Sequence, residues 1–134
     1  MSALGDLDAQ IAQRLFGWAI RSCESPCPFE GSRSLMGAYH EGWHDAAGRF
    51  FFAPPAYTTD PAATAQVWQW VEAQQRDPVE AVYFEYYRGT GSLVCLITTT
   101  ARPDRPCERT GATWPEALCR AALALAESLE RAKT

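Results

Sequence analysis

From Val82 to Thr100 the chain alternates with a period of two. Val82, Phe84 and Tyr86 interleave with Tyr83, Glu85 and Tyr87, and after Gly89-Thr-Gly-Ser92 the stretch Leu93–Thr100 is rich in β-branched residues. Alternation of this kind belongs to strands, and a short glycine-bearing connection joins them as a hairpin. A two-stranded hairpin cannot hold itself together in water, so one of its faces must be covered by other parts of the chain. A second hairpin is predicted upstream. There Gly37–His44 and Arg49–Ala53 flank Asp45-Ala-Ala-Gly48, with Gly48 in the left-handed position and Pro54 and Pro55 stopping the return strand.

Three stretches with helical period supply the covering surface. Leu4, Leu7, Ile11, Leu15 and Trp18 recur at three- and four-residue steps, which predicts a helix over Leu7–Trp18 with Asp6 as its N-cap. Asp60-Pro61 opens a second helix, with Ala63, Val67, Trp70, Val71 and Gln74 along one side, Trp68 turned sideways, and Asp77-Pro78 as its end. Thr113-Trp-Pro-Glu116 is a capping box with proline in the first turn, and Leu118, Ala121, Ala122, Leu125 and Leu129 form the stripe behind it. Residues 19–36 carry neither period and read as a loop, as does Arg102–Pro106, while Glu108–Ala112 suits a short edge strand. The order predicts an α+β fold: one antiparallel sheet of two hairpins with helices packed on it, forming a single domain over residues 1–134, with neither internal repeat nor linker.

The chain has 134 residues, 47% of them apolar and 21% charged, which are globular values that exclude wholesale disorder. A net charge of −4 speaks against a protein that holds polymeric nucleic acid by its phosphates, and is too small for a mimic of DNA. Met1–Asp8 has neither the basic region nor the apolar core of a signal peptide, and no apolar run is long enough to cross a bilayer. With an odd number of cysteines, five, the chain reads as cytoplasmic, its thiols reduced, with no membrane partner.

Three stretches, in order along the chain, resemble the phage ABA sandwich domain family. They are Ile11-Ala-Gln-Arg-Leu-Phe-Gly-Trp18, then Pro54-Pro-Ala-Tyr-Thr-Thr-Asp-Pro-Ala-Ala63 with Val67 and Val71, then Thr113-Trp-Pro-Glu-Ala-Leu-Cys-Arg-Ala-Ala-Leu-Ala124. The resemblance implies an α-β-α sandwich and a phage or prophage source, hence action in the cytoplasm of an infected bacterial host. It brings no catalytic residues with it. The cysteine-bearing stretch between residues 19 and 36 departs from the family pattern.

Cys23-x3-Cys27-x12-His40-x3-His44 has the spacing of a two-cysteine, two-histidine zinc site. Its geometry depends on what carries the histidines. Residues four apart lie ~6 Å from each other on a helix, but ~13 Å apart along a strand. The predicted hairpin selects the strand, so no metal and no cofactor is expected. His40-Glu-Gly-Trp-His44 matches the metalloprotease motif, yet that chemistry needs a helix and a third ligand, and Gly42 and the strand context oppose it. Cys95 reads as a small core residue in a central strand and Cys119 as packed in the last helix. Cys107, between Arg105 and Arg109, is the thiol whose ionisation neighbouring arginines would favour.

The remaining cluster is electropositive. Arg102, Arg105 and Arg109 follow one another along a proline-stiffened loop, and Arg88 ends the strand before it. Guanidinium forks suit phosphates, and Tyr57 and Trp43 would supply aromatic faces for a base. Together with the phage resemblance these residues lead to the expectation of a non-enzymatic, counter-defence binding protein that sequesters a nucleotide-type host immune signal. The alternatives are an inhibitor that blocks a host defence protein by surface contact, a thiol- or metal-dependent hydrolase built on Cys107 or the 23/27/40/44 cluster, and a structural accessory protein. The oligomeric state stays open, a homo-oligomer included.

Overall fold

The computed structural model describes residues 3–23 and 40–131. Helix α3 (Trp114–Arg131) lies at the centre of the core. Its first turn is held as the capping box predicts. The Glu116 amide donates to Thr113 Oγ1 at 3.4 Å, and Glu116 Oε2 accepts from the Ala112 amide at 3.1 Å. The buried set is wider than the predicted stripe. Every residue from Ala121 to Ala126 is buried, so the middle of the helix is covered well beyond the predicted stripe. Alanine at Ala121, Ala122, Ala124 and Ala126 lets neighbours approach the backbone from several directions. Strands β5 (Ser92–Thr99) and β6 (Cys107–Gly111) pack against α3, and so do α1 (Ala3–Phe16) and α2 (Pro61–Glu72).

Strands β4 (Val79–Tyr87), β5 and β6 form an antiparallel sheet in that order. The register sets Val82 opposite Ile97, Phe84 opposite Cys95 and Tyr86 opposite Leu93, and continues to Cys107, Arg109 and Gly111 on β6. Since side chains alternate across a strand, all of these face the helices. Gly111 is the point of closest approach. A Cβ there would stand 2.6 Å from the Ala117 amide nitrogen, so only glycine lets β6 lie against the first turn of α3. The other face carries Tyr83, Glu85 and Tyr87 from β4, Val94 and Leu96 from β5, and Glu108 and Thr110 from β6.

The α+β class read from the sequence is what the structure shows, but the two hairpins do not join in one sheet. A second antiparallel sheet, in the order β1-β2-β3, consists of β1 (Ala19–Cys23), β2 (His40–His44) and β3 (Phe50–Phe51). Strand β1 falls where a loop was expected. Five residues are too few to display a period, and the strand exists because β2 supplies its hydrogen-bond partners from Ala19↔His44 to Cys23↔His40. The β2–β3 turn forms as predicted. Asp45 Oδ1 accepts the Ala47 and Arg49 amides at 3.0 and 2.9 Å, and Gly48 takes a φ of 86°.

The helix ends depart from the sequence reading in instructive ways. Helix α1 begins at Ala3, so Asp6 lies in its first turn and is not its cap. It stops at Phe16 because Gly17 is left-handed, at φ 73°, and the Trp18 amide turns back to the Ala12 carbonyl at 3.0 Å. Trp18 thereby leaves the helix and packs on Phe51, ring centroids 5.2 Å apart. Asp60 caps α2 as expected, accepting from the Ala62 amide at 3.2 Å. That helix ends at Glu72, short of Asp77-Pro78. Asp77 is buried and accepts the Ala101 amide at 2.8 Å, which pins the start of the arginine-bearing loop. Among the described residues no helix is long and apolar enough to cross a membrane.

Candidate functional site

The six residues expected to form one arginine and aromatic site do not meet. Arg88 sits in the turn between β4 and β5, whereas Arg102 and Arg105 lie in the loop beyond the far end of β5. An eight-residue strand separates them, about 25 Å at the usual rise. Arg102 and Arg105 are exposed and border a shallow hollow formed by Ala101–Arg105 itself. Tyr57 has no free face. It is fully buried, with its ring stacked on Phe16 at 5.2 Å, and its carbonyl accepts the Thr64 hydroxyl at 2.6 Å and the Cys119 thiol at 3.6 Å. Burial, helped by the Asp8 charge, pushes its phenol well above the ordinary range. Trp43 belongs to β2 in the other sheet and is packed against the core. Nearness along the sequence says nothing about which end of a strand, or which face, a side chain reaches, and that is why the cluster disperses.

Arg109 is placed differently. Its position on β6 turns it toward the helices, where it borders a groove of about 350 Å³ between α1, α3 and β6 with Arg120, Asp6, Gln10 and Glu127. Arg109 Nη1 donates to the Glu108 carbonyl at 2.7 Å. Arg120 Nε stands 3.6 Å from Glu116, and Glu127 is engaged by Arg14 at 2.8 Å. Two guanidiniums, Arg109 and Arg120, therefore share one groove with two carboxylates, Asp6 and Glu127, the latter already held by Arg14. Arg120 went unnoticed in the sequence because it lies among the alanines of a core helix, with no motif around it.

Among the described residues, the thiols of Cys95, Cys107 and Cys119 are not poised for nucleophilic work. Cys95 and Cys119 are fully buried, and burial raises both to about 12, far from the ionised state that attack requires. For Cys107, half-buried, burial also raises the thiol, against the pull of Arg102 and Arg109. The expected contribution of Arg105 to that balance is replaced by Arg102, and burial outweighs it. The histidines of the zinc pattern stand at the two ends of β2. Strand spacing keeps His40 and His44 ~13 Å apart, and the metalloprotease motif lacks its helix. Cys27 lies outside the described residues. Among those that are described, no group of three His, Cys, Asp or Glu is placed to hold a metal ion.

A hollow of about 530 Å³ lies between the end of α1, the β2–β3 turn and Pro54-Pro55. Its two charged groups, Asp45 and Arg49, are engaged with each other. The Arg49 guanidinium meets Asp45 at 2.9 and 3.0 Å and lies 5.8 Å from the Phe51 ring centroid. Burial alone would raise the Asp45 carboxyl, but the Arg49 amide and guanidinium hold it below its ordinary value.

Among the described residues, three of the exposed aromatic side chains lie together on β4. Tyr83 is 58% exposed and Tyr87 47% exposed on the face away from the helices, beside Leu96 and the buried Val94. Tyr86, 61% exposed, and Trp114, 46% exposed, lie on the helix side of the same strand, where Phe84 meets Trp114 edge-on and Trp68 in a stack, each at 6.2 Å. Tyr87 donates its hydroxyl to Glu85 at 2.8 Å, a bond that runs along the strand and raises its phenol pKa. Comparison with protein-family models, with curated proteins and with solved structures found no match.

Proposed function

We propose that this chain is a non-enzymatic binding protein that acts by direct contact with another protein. The observation that carries the reading is the tyrosine face of the β4–β5–β6 sheet, where Tyr83 and Tyr87 remain half exposed over Val94 and Leu96. Tyrosine supplies a large contact area with only two rotatable bonds to freeze, and it is enriched where proteins meet. Glu85, between the two tyrosines, and Glu108 on β6 give the patch negative charge, which suits a partner bearing basic side chains. The resemblance to the phage family supports a setting in infection, with a host defence protein as the partner. Placing a photo-crosslinking amino acid at Tyr83 in infected cells tests the reading. A discrete covalent product from Tyr83, and none from exposed Gln69 on α2, is the expected result. Products absent from the face, or equal at both positions, would contradict it.

The Arg109–Arg120 groove favours a second reading, in which the chain sequesters a small phosphorylated signal. Charge-assisted bonds contribute ~1.5–3 kcal/mol each, so Arg109→Ala would weaken such binding by roughly tenfold or more. Calorimetric titration with cyclic oligonucleotides, cyclic ADP-ribose-type molecules and NAD decides it. Absence of heat with all of them would remove this reading and leave the first.

A further inference from the structure

We propose that two copies of the chain pair through strand β4 to form one continuous six-stranded sheet. The inference does not depend on the partner-binding reading, since it concerns the edge of the sheet and not its open face. Among the described residues, β4 has β5 on one side and no strand on the other. Edge strands are ordinarily blunted by lysine, proline or a bulge. Here the bulge between Val79 and Ala81 protects only the beginning of the strand. From Ala81 to Tyr87 there is neither proline nor lysine, and the single charge is Glu85.

The helices also stop short of this edge. Tyr86 points to the helix side yet is 61% exposed, and Trp114, which meets Phe84 edge-on, is 46% exposed. A second copy brought alongside would set the same aromatic group against its twin. Tyr86 and Trp114, each about half exposed, would lose on the order of 400 Å² of surface over the two copies, roughly a quarter of a standard interface, with the strand edges supplying more.

The strand is self-complementary in charge. Antiparallel neighbours must match in hydrogen-bonding type, so a strand pairing with itself places some residue opposite its own copy. A two-fold axis through Tyr83, the midpoint of Val79–Tyr87, sets Ala81 opposite Glu85 of the second copy and Val82 opposite Phe84. Glu80 then falls opposite Tyr86, and no glutamate faces a glutamate. The overall acidity of the chain argues against many self-associations, but this register avoids the repulsion locally.

Ala81 makes the register testable, because symmetry places it opposite Glu85 twice. Light-scattering mass measurement during gel filtration at about 50 µM is expected to give the mass of two chains. Ala81→Glu should weaken the dimer by about tenfold or more, and Ala81→Arg should strengthen it. Both variants should keep the far-ultraviolet circular dichroism spectrum of the parent, which separates loss of pairing from loss of fold. A single-chain mass for the parent would overturn the proposal, as would a dimer that responds equally to both substitutions.

Discussion

The two faces of the β4–β5–β6 sheet are made of similar residues and have opposite fates. On the helix side Cys95 and Ile97 are completely buried against α3, whereas directly across the sheet Tyr83 and Tyr87 stand half in water. Apolar character alone therefore does not separate core from surface here. What separates them is which face α3 occupies, and the approach of α3 is set by Gly111 and by the alanines that let the helix sit close. The helix-side face supplies stability. The open face keeps Tyr83 and Tyr87 about half exposed, which suits them to the proposed contact with another protein.

The comparison breaks most severely if the buried face is truncated. Leu125→Ala, at a residue 1% exposed in α3, should cost ~2–5 kcal/mol, measured by chemical denaturation. Pro115→Gly, which only loosens the start of the same helix, should cost distinctly less. A larger loss for Pro115 would mean that the cap and not the packing holds α3. Gly111→Ala comes next, at about 1–3 kcal/mol, because the added methyl must displace the first turn of α3. A neutral result would show that β6 and α3 can separate without penalty.

A pH titration sharpens the contrast further. Cys95 and Cys119 ionise near pH 12 in the folded protein, against about 8.5 in an unfolded chain. The fold thus favours their protonated form. That stabilisation is complete below about pH 8.5 and is lost as pH rises toward 12. Tm should hold steady from pH 6 to 8, then fall by several degrees by about pH 10.5. The same thiols should stay unreactive toward a disulfide reagent at neutral pH until the protein is unfolded. The smallest effect is expected on the open face, where Tyr83→Ala should change stability by no more than about 0.5 kcal/mol.

Much of the architecture was legible because its signals are local. The capping box at Thr113–Glu116, the Asp60-Pro61 start and the Asp45–Gly48 turn each satisfy their hydrogen bonds within a few residues, and each forms where the sequence places it. Strand β1 was not legible, because its partner is β2, across a long separation in sequence. The site was less legible than the fold for the same reason. Arg88, Arg102 and Arg105 look adjacent when read along the hairpin, but β5 carries them to opposite ends. Tyr57 resembles a free aromatic in a proline-rich loop, yet Phe16 from α1 and Thr64 from α2 close over it. The Arg109–Arg120 groove combines a strand and a helix that no spacing rule connects.

The central claim, that the tyrosine face binds and does not stabilise, is tested most directly by one crosslinking measurement. A photo-crosslinker at Thr110, exposed on the same face as Tyr83 and Tyr87, reports contact without altering either ring. In infected cells it should capture a discrete partner in the parent background. In the Tyr83→Ser, Tyr87→Ser background it should lose that product, while the purified variant keeps its Tm to within a few degrees. Equal capture in both backgrounds, or a double variant that fails to fold, would contradict the account.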